Sequence, residues 1–411
     1  MTELLIRDLA QVATPAGTRG PLRGADLRDV LVIENAYLVC RDGRVESVGP
    51  MVELPSDLSS GIEEIDGRGL CAIPGFVDCH THACFGGDRV NEFSLRAGGA
   101  SYEELHAAGG GILSTVRETR AADEVELTRI TMKHRSWMRS HGTTTFEGKS
   151  GYGLDHDTEL AQLRAVRAAG GVPTWLGAHT VPPEFDAADA YVDFLLAEVL
   201  PEAAAIAEAA DVFLERGSFD AAQSRRYLQA CAEAGLALRL HGDQFTESGA
   251  IELAIELGAR SVDHLEATGP AGVARLAASD VTGVLLPASA LFLARPMPPA
   301  RALADAGGLI ALATDFNPGS AFCDSLPLVL SLACTQLHLA PEEALVAATV
   351  NAAHVLGRAD TIGRLSPGFA ADIVLLEAPD WRHVAYHLAG DVVHTVIEGG
   401  AVAFRRTAYS T

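Results

Sequence analysis

From residue 71 onward the chain alternates short β-like runs with longer amphipathic segments, and it does so eight times. The β-like runs fall at 71–80, 143–149, 172–179, 211–216, 236–242, 260–265, 281–287 and 309–315. Between most of them lie alanine- and leucine-rich helical patterns such as 157–169, 187–209, 221–234 and 248–257, with a last one at 341–356. Gly142, Gly170, Gly235, Gly258 and Gly307 stand just before the next run, where a left-handed helix stop is expected. Few folds accept such a pattern. Eight β-α repeats predict an α/β protein built on a (β/α)8 TIM-type barrel of parallel strands. The first connection, roughly 83–120, is far longer than the usual few residues and contains Gly109-Gly110-Gly111, which suggests a functional loop.

The two ends of the chain have a different texture. Residues 1–70 carry β-like runs at Leu31-Val32-Ile33 and Ala36-Tyr37-Leu38-Val39. Arg41-Asp42-Gly43-Arg44 then reads as a hairpin turn with Val45-Glu46-Ser47-Val48 as its return strand. Asp372-Ile373-Val374-Leu375-Leu376 and Thr395-Val396-Ile397 do the same near the other end, before the turn Glu398-Gly399-Gly400. Neither segment is long enough to bury a core alone. The expected organisation is therefore a barrel over 71–360 beside a small β-sandwich domain made from 1–70 and 361–411.

Composition narrows the partners. Lys and Arg number 31 against 54 Asp and Glu, a net charge of −23. Nucleic acid and anionic membranes both need basic surfaces, so neither is an expected partner. An anionic small molecule would need a local cationic anchor. Cysteines occur at 40, 71, 79, 84, 231, 323 and 334, an odd number with no CxxC pair, and read as reduced thiols of a cytoplasmic protein. The first residues show no basic segment followed by a long apolar one, and no apolar run reaches membrane-spanning length. On oligomeric state the sequence is silent, although enzymes of this size often form homodimers.

In barrels of this kind chemistry sits at the C-terminal ends of the strands. The first run ends in Asp78-Cys79-His80-Thr81-His82, the fifth in Leu240-His241-Gly242-Asp243-Gln244, the sixth in Val262-Asp263-His264 and the eighth in Thr314-Asp315-Phe316-Asn317. His80 and His82, spaced i and i+2 on an extended strand, point the same way, whereas Cys79 faces away from them. A catalytic metal takes about three protein ligands and keeps a position open for water. His80, His82 and His241 supply the nitrogens, and Asp315 binds the ion, accepts the water's proton, or does both. His264 reads as an acid or electrophile that polarises a carbonyl. Bound metal lowers the pKa of water towards ~7. The expected class is metal-assisted hydrolysis.

The HxH on strand one, His on strands five and six and Asp on strand eight resemble the amidohydrolase superfamily. Longer blocks carry the likeness further: PGFVDCHTHACFGGDRVNE at 74–92, GTTTFEGKSGYGL at 142–154, Leu176-Gly177-Ala178-His179, and TDFNPGS at 314–320. They resemble the branch that opens a cyclic amide in histidine degradation. The resemblance implies hydrolysis of 4-imidazolone-5-propanoate to N-formimidoyl-L-glutamate, by attack of metal-activated hydroxide on the ring carbonyl. It implies one Zn2+ or Fe ion per chain, held by His80, His82, His241 and Asp315. It also implies substrate contacts at Arg89, Tyr152, His179, Gln244, Asn317, Gly319 and Ser320, with Arg89 anchoring the propionate.

The residues themselves agree with that picture. Arg89 can grip a carboxylate bidentately, and the turn Asn317-Pro318-Gly319-Ser320 offers backbone N–H groups and a hydroxyl to the same group. Lys149 reads either as a carboxylated metal bridge or as a structural ion pair with Glu147; the mononuclear resemblance favours the ion pair. Gln244 stands where many superfamily members have Glu. An amide cannot act as a base, so Gln244 is expected to orient the ring while Asp315, assisted by His264, moves protons. The first rival is a nucleobase or triazine deaminase, which would use a Glu where this chain has His241-Gly242-Asp243-Gln244. The second is a non-catalytic barrel, which the full set of ligands disfavours.

Overall fold

The computed structural model describes residues 3–59, 61–99 and 110–406 of the chain. In chain order its strands are β1 (Glu3–Pro15), β2 (Val30–Arg41), β3 (Arg44–Pro50), β4 (Glu63–Asp66) and β5 (Cys71–Pro74). The barrel strands follow: β6 (Phe76–Asp78), β7 (Thr143–Lys149), β8 (Val172–Ala178), β9 (Ala209–Leu214), β10 (Ala237–Gly242), β11 (Ser261–His264), β12 (Thr282–Leu285) and β13 (Ile310–Leu312). The chain returns through β14 (Ile373–Leu376), β15 (Val393–Glu398) and β16 (Ala401–Arg405).

Strands β6 to β13 lie in sequence order, every neighbouring pair parallel, as the eight repeats predict. The seam between the first and last of them is closed partly by a side chain. Asp78, wholly buried, accepts from Thr314 N (3.1 Å) and Thr314 Oγ1 (2.6 Å). Just beyond, Thr81 bridges Phe316, Asp315 N donates to His80 O (3.0 Å) and His82 N to Phe316 O (2.9 Å). These bonds press the segments after β6 and β13 together, which brings the HxH pair beside Asp315.

The small domain joins the two ends of the chain in one mixed sheet, ordered β16-β15-β14-β5-β1-β2-β3 with β4 beside β1. The ends meet where β14 pairs antiparallel with β5, Ile373 opposite Pro74. The sheet folds over on itself, so Leu4, Leu38 and Val45 share one apolar core with Ile373, Leu375 and Ile397. Truncating such a side chain to alanine costs about 2–5 kcal/mol. Both hairpin turns form as read, with positive φ at Asp42 (50°) and Gly43 (78°), and at Gly399 (54°) and Gly400 (78°).

Three local expectations need correction. The run 71–80 is two strands, because Pro74-Gly75 breaks it: β5 belongs to the small sheet and β6 opens the barrel. Gly75 is required there, since a Cβ would sit 2.3 Å from Thr144 Oγ1. The helical pattern 341–356 is two helices, Pro341–Ala347 and Val350–Val355. Thr349 separates them, its hydroxyl bonded to Leu345 O (2.6 Å). The pattern 187–209 runs as helix from Ala188 to Ile206, but with a π turn at Leu195–Val199 just before Pro201, which has no N–H to donate. In the long first connection, Val90–Ala97 and Ile112–Ala121 are helical, and Gly111 (φ 87°) caps the second; Gly109 lies outside the described residues.

Candidate active site

The C-terminal ends of β6, β10, β11 and β13 converge on one point. His80 Nε2 lies 3.4 Å and His82 Nε2 3.6 Å from Asp315 Oδ1. His241 Nε2 faces His82 Nε2 at 3.4 Å. His264 comes as close: one ring nitrogen of it falls within 4.8 Å of those of His80 and His241. All five side chains are buried. His264 and Asp315 adopt positive φ (87° and 55°), a conformation that costs side-chain-bearing residues of order 1–3 kcal/mol and concentrates at functional sites.

Each inner histidine is oriented from behind. His80 Nδ1 bonds Asp263 Oδ2 at 2.6 Å, and His241 Nδ1 bonds Asp211 Oδ1 at 3.0 Å. A carboxylate on Nδ1 holds the proton there and turns the Nε2 lone pair inward, the arrangement found behind metal-ligating histidines. His80 Nε2 is buried with no hydrogen-bond partner among the described residues. Burial holds His80 and His82 well below the ordinary imidazole value, so both stay neutral. Inward-facing lone pairs, an orphaned ring nitrogen and a shared carboxylate oxygen fit a bound cation.

Beneath this point the barrel interior is charged rather than apolar. Lys149 Nζ contacts Glu147 Oε1 (2.8 Å), Asp211 Oδ2 (2.7 Å) and Asp263 Oδ2 (3.7 Å). Arg239 Nη1 reaches Glu147 Oε1 (2.5 Å) and Cys79 O (3.3 Å). Burial disfavours the lysine's charge, but Asp211, Glu147 and Asp263 together push its pKa above the ordinary value. Lys149 is therefore the ion pair with Glu147 that the sequence favoured, and it also braces both carboxylates that aim the histidines. Asp211 and Asp263 went unassigned in the sequence reading. Their only sequence signal is an acid inside an otherwise apolar barrel strand.

Above the convergence point lies a cavity of about 640 Å3. Its lining includes all of the residues expected to touch substrate: Arg89, Tyr152, His179, Gln244, Asn317, Gly319 and Ser320. The His82 and His179 rings stack at 5.3 Å, and Tyr152 lies 5.4 Å from His179. His179 Nδ1 bonds Gly151 O (2.9 Å), and burial lowers its pKa to about 3, so Nε2 is left as a neutral acceptor. The loop carrying Tyr152 is gathered by Glu159, which accepts from the N–H groups of Gly151, Gly153 and Leu154 at 2.9–3.0 Å.

One expectation about the propionate pocket changes. The N–H groups of Gly319 and Ser320 are already held by Asn317 Oδ1, both at 2.8 Å, and are not presented to a ligand. Asn317 shapes its own turn. Ser320 Oγ, bonded to Asn317 Nδ2 (2.7 Å), remains on the cavity wall with Arg89. Arg89 in turn is held bidentately by Glu92 (Nε–Oε2 2.9 Å, Nη2–Oε1 2.6 Å), and Glu92 also accepts from Gly111 N (2.7 Å). Arg89 Nη1 is left facing Gly319, where a Cβ would stand 2.1 Å from it. Glycine at 319 makes room for the arginine.

A parallel barrel with a terminal sheet domain and a His/Asp cluster at its C-terminal rim defines a metal-dependent hydrolase. Residues 71–402 match the amidohydrolase family, and the chain belongs to it. Among curated relatives, it is 60% identical to imidazolonepropionase of Rubrobacter xylanophilus over 98% of both chains. It is 45% identical to imidazolonepropionase of Chloroflexus aggregans, covering 97% of this chain and 98% of that one. Among solved structures, guanine deaminase of E. coli superposes with a TM-score of 0.71 at 16% identity, over 99% of this chain and 100% of that one, a likeness of fold alone.

Proposed function

We propose that this protein is an imidazolonepropionase: it hydrolyses 4-imidazolone-5-propanoate to N-formimidoyl-L-glutamate in histidine degradation. The observation that carries the reading is one cavity with the His/Asp cluster at its floor and Arg89 and Ser320 on its wall. It suits a small ring with a carboxylate arm. His80, His82, His241 and Asp315 would hold one zinc or iron ion, since three imidazoles and a carboxylate accept either. When bound, the ion supplies a Lewis acid and activated water.

The protein's own groups account for the rest. Arg89 Nη1 and Ser320 Oγ take the propionate. Tyr152 and His179 flank the flat ring, His179 accepting a ring N–H through Nε2. Gln244, buried on the cavity wall, orients the ring by hydrogen bonding. Asp315 takes a proton from the attacking water and passes it to the departing ring nitrogen as the bond between that nitrogen and the carbonyl carbon breaks. Burial raises the Asp315 pKa above the usual carboxylate value, and His264 and His241 oppose that shift, which suits a group that must both accept and return a proton. His264 donates to the carbonyl oxygen. Burial works against its charged form, but Glu266 beside Nδ1 (3.3 Å) and Asp315 raise its pKa.

All seven cysteines are free thiols, and no helix among the described residues is long and apolar enough to cross a membrane, which supports a cytoplasmic location. The test is incubation of the purified protein with imidazolone propionate, following loss of ring absorbance and identifying the product by mass spectrometry. Formation of N-formimidoyl-glutamate is expected. Release of ammonia from guanine or cytosine with no action on the imidazolone would replace the reading by a deaminase.

A further inference from the structure

The net charge of −23 sets a problem for any enzyme whose substrate is an anion. At long range the protein repels what it must bind. Arg89 does not solve this, because its charge is matched by Glu92. The wall of the same cavity, however, carries three further arginines that the substrate reading does not use: Arg96, packed over Phe292 (4.6 Å) and bonded to Gly319 O (3.4 Å), and two more at the mouth. Arg216 comes from the loop after β9 and Arg295 from the segment after β12. Both are exposed, and among the described residues neither side chain makes a hydrogen bond or an ion pair.

The acids that line this cavity are all engaged elsewhere. Glu92 holds Arg89, and Asp315 belongs to the His/Asp cluster. Glu215 accepts from the N–H groups of Phe245 (2.8 Å), Thr246 (3.2 Å) and Arg216 (2.8 Å). Its carboxylate thus fixes the backbone on both sides of the mouth instead of neutralising the arginine beside it. Phe245, anchored by that bond, in turn supports Arg295, whose guanidinium lies 5.4 Å from the ring centroid. Arg295 is thus propped on a ring while Arg216 projects freely beside it, and both line the entrance with their charge facing water.

We propose that Arg216 and Arg295 form an electrostatic capture site for the carboxylate of the incoming substrate, placed ahead of the Arg89 anchor. The inference rests on the anionic-substrate reading above. Two unit charges about 10 Å from an approaching carboxylate, in water-like surroundings, raise its local concentration about four-fold at low salt. The Debye length falls to a few ångströms near 1 M salt, so the gain vanishes there. Neither residue touches the reacting atoms.

The test compares the metal-loaded wild type with Arg216→Gln/Arg295→Gln and with Arg216→Lys/Arg295→Lys, measuring kcat/KM for imidazolone propionate from low to about 1 M salt. The Gln pair is expected to start about four-fold lower at low salt, to lose most of its salt dependence, and to meet the wild type at high salt. The kcat value should hold, and the Lys pair should restore the salt dependence. Parallel salt profiles for wild type and Gln pair, or a Lys pair that behaves like the Gln pair, would overturn the capture role. No turnover by the wild type would instead remove the substrate assignment, and the capture role with it.

Discussion

Gly319→Ala isolates the substrate anchor from the fold. Gly319 does not need an unusual backbone conformation, so alanine brings no φ penalty; its only conflict is a Cβ 2.1 Å from Arg89 Nη1 and 2.8 Å from Arg89 Cζ. Contact between such atoms needs about 3.5 Å, so the guanidinium must retreat by more than an ångström. A free arginine would swing aside at little cost. Arg89 cannot, because two bonds to Glu92 at 2.9 and 2.6 Å fix its plane and Glu92 is itself tied to Gly111 N. The variant must either break that pair or hold Nη1 away from the propionate. A hydrogen bond to a charged group contributes about 1.5–3 kcal/mol, so KM should rise about 10- to 150-fold. Stability should change by less than about 1 kcal/mol, as for a mild surface change. Steady-state kinetics and a urea melt of the same preparation check both numbers. A folded variant with wild-type KM would refute the placement of the propionate at Arg89.

Other perturbations separate the remaining roles. Asp315→Asn should abolish turnover in a steady-state assay, whereas Gln244→Glu should keep part of it, because Gln244 only orients the ring. Lys149→Met leaves Asp211 and Asp263 buried without their lysine cation, while Glu147 keeps Arg239. Loss of one partner from such a network costs about 3–5 kcal/mol, and zinc affinity should fall about 10- to 100-fold as the histidines lose their bracing; urea melts and a competitive chelator read the two effects. His179 contributes to the pH dependence of the metal-free protein, alongside His80 and His82, which burial also holds below the ordinary imidazole value. The folded pKa of His179 is about 3, against ~6.5 in the unfolded chain. Between these values the unfolded chain takes up a proton that the folded one refuses, so stability falls as pH drops below ~6.5. Melts at descending pH should show a smaller loss in His179→Gln.

Much of the barrel was legible because its signals are local. Most barrel strands are short, largely apolar runs, and Gly142, Gly170, Gly235, Gly258 and Gly307 all take the positive φ that a helix stop requires. The rim histidines and Asp315 were legible because strand ends are where such folds place chemistry. What was missed depends on distant partners. The strand β1, thirteen residues long and central to the small sheet, escaped notice. A bulge between Ile6 and Leu9, with Asp8 at φ 57°, shifts the phase of its burial and breaks the alternation a reader looks for. The buried net of Glu147, Lys149, Asp211, Asp263 and Arg239 was hidden for a related reason. Glu147 and Lys149 share β7, but Asp211, Arg239 and Asp263 come from β9, β10 and β11, and only the folded barrel makes all five neighbours. The Asn317 turn shows the opposite limit: its residues were read as substrate contacts, but the side chain of Asn317 had already claimed the backbone donors.

The central claim is that His80, His82, His241 and Asp315 form a hydrolytic site for a single ion. The direct measurement is a metal titration of chelator-stripped protein, with zinc or ferrous iron added back in known amounts and imidazolone propionate turnover assayed on each sample. Activity should be absent at zero metal, rise linearly, and break sharply at one equivalent per chain. Full turnover by the stripped protein, or a break at two equivalents, would contradict the account.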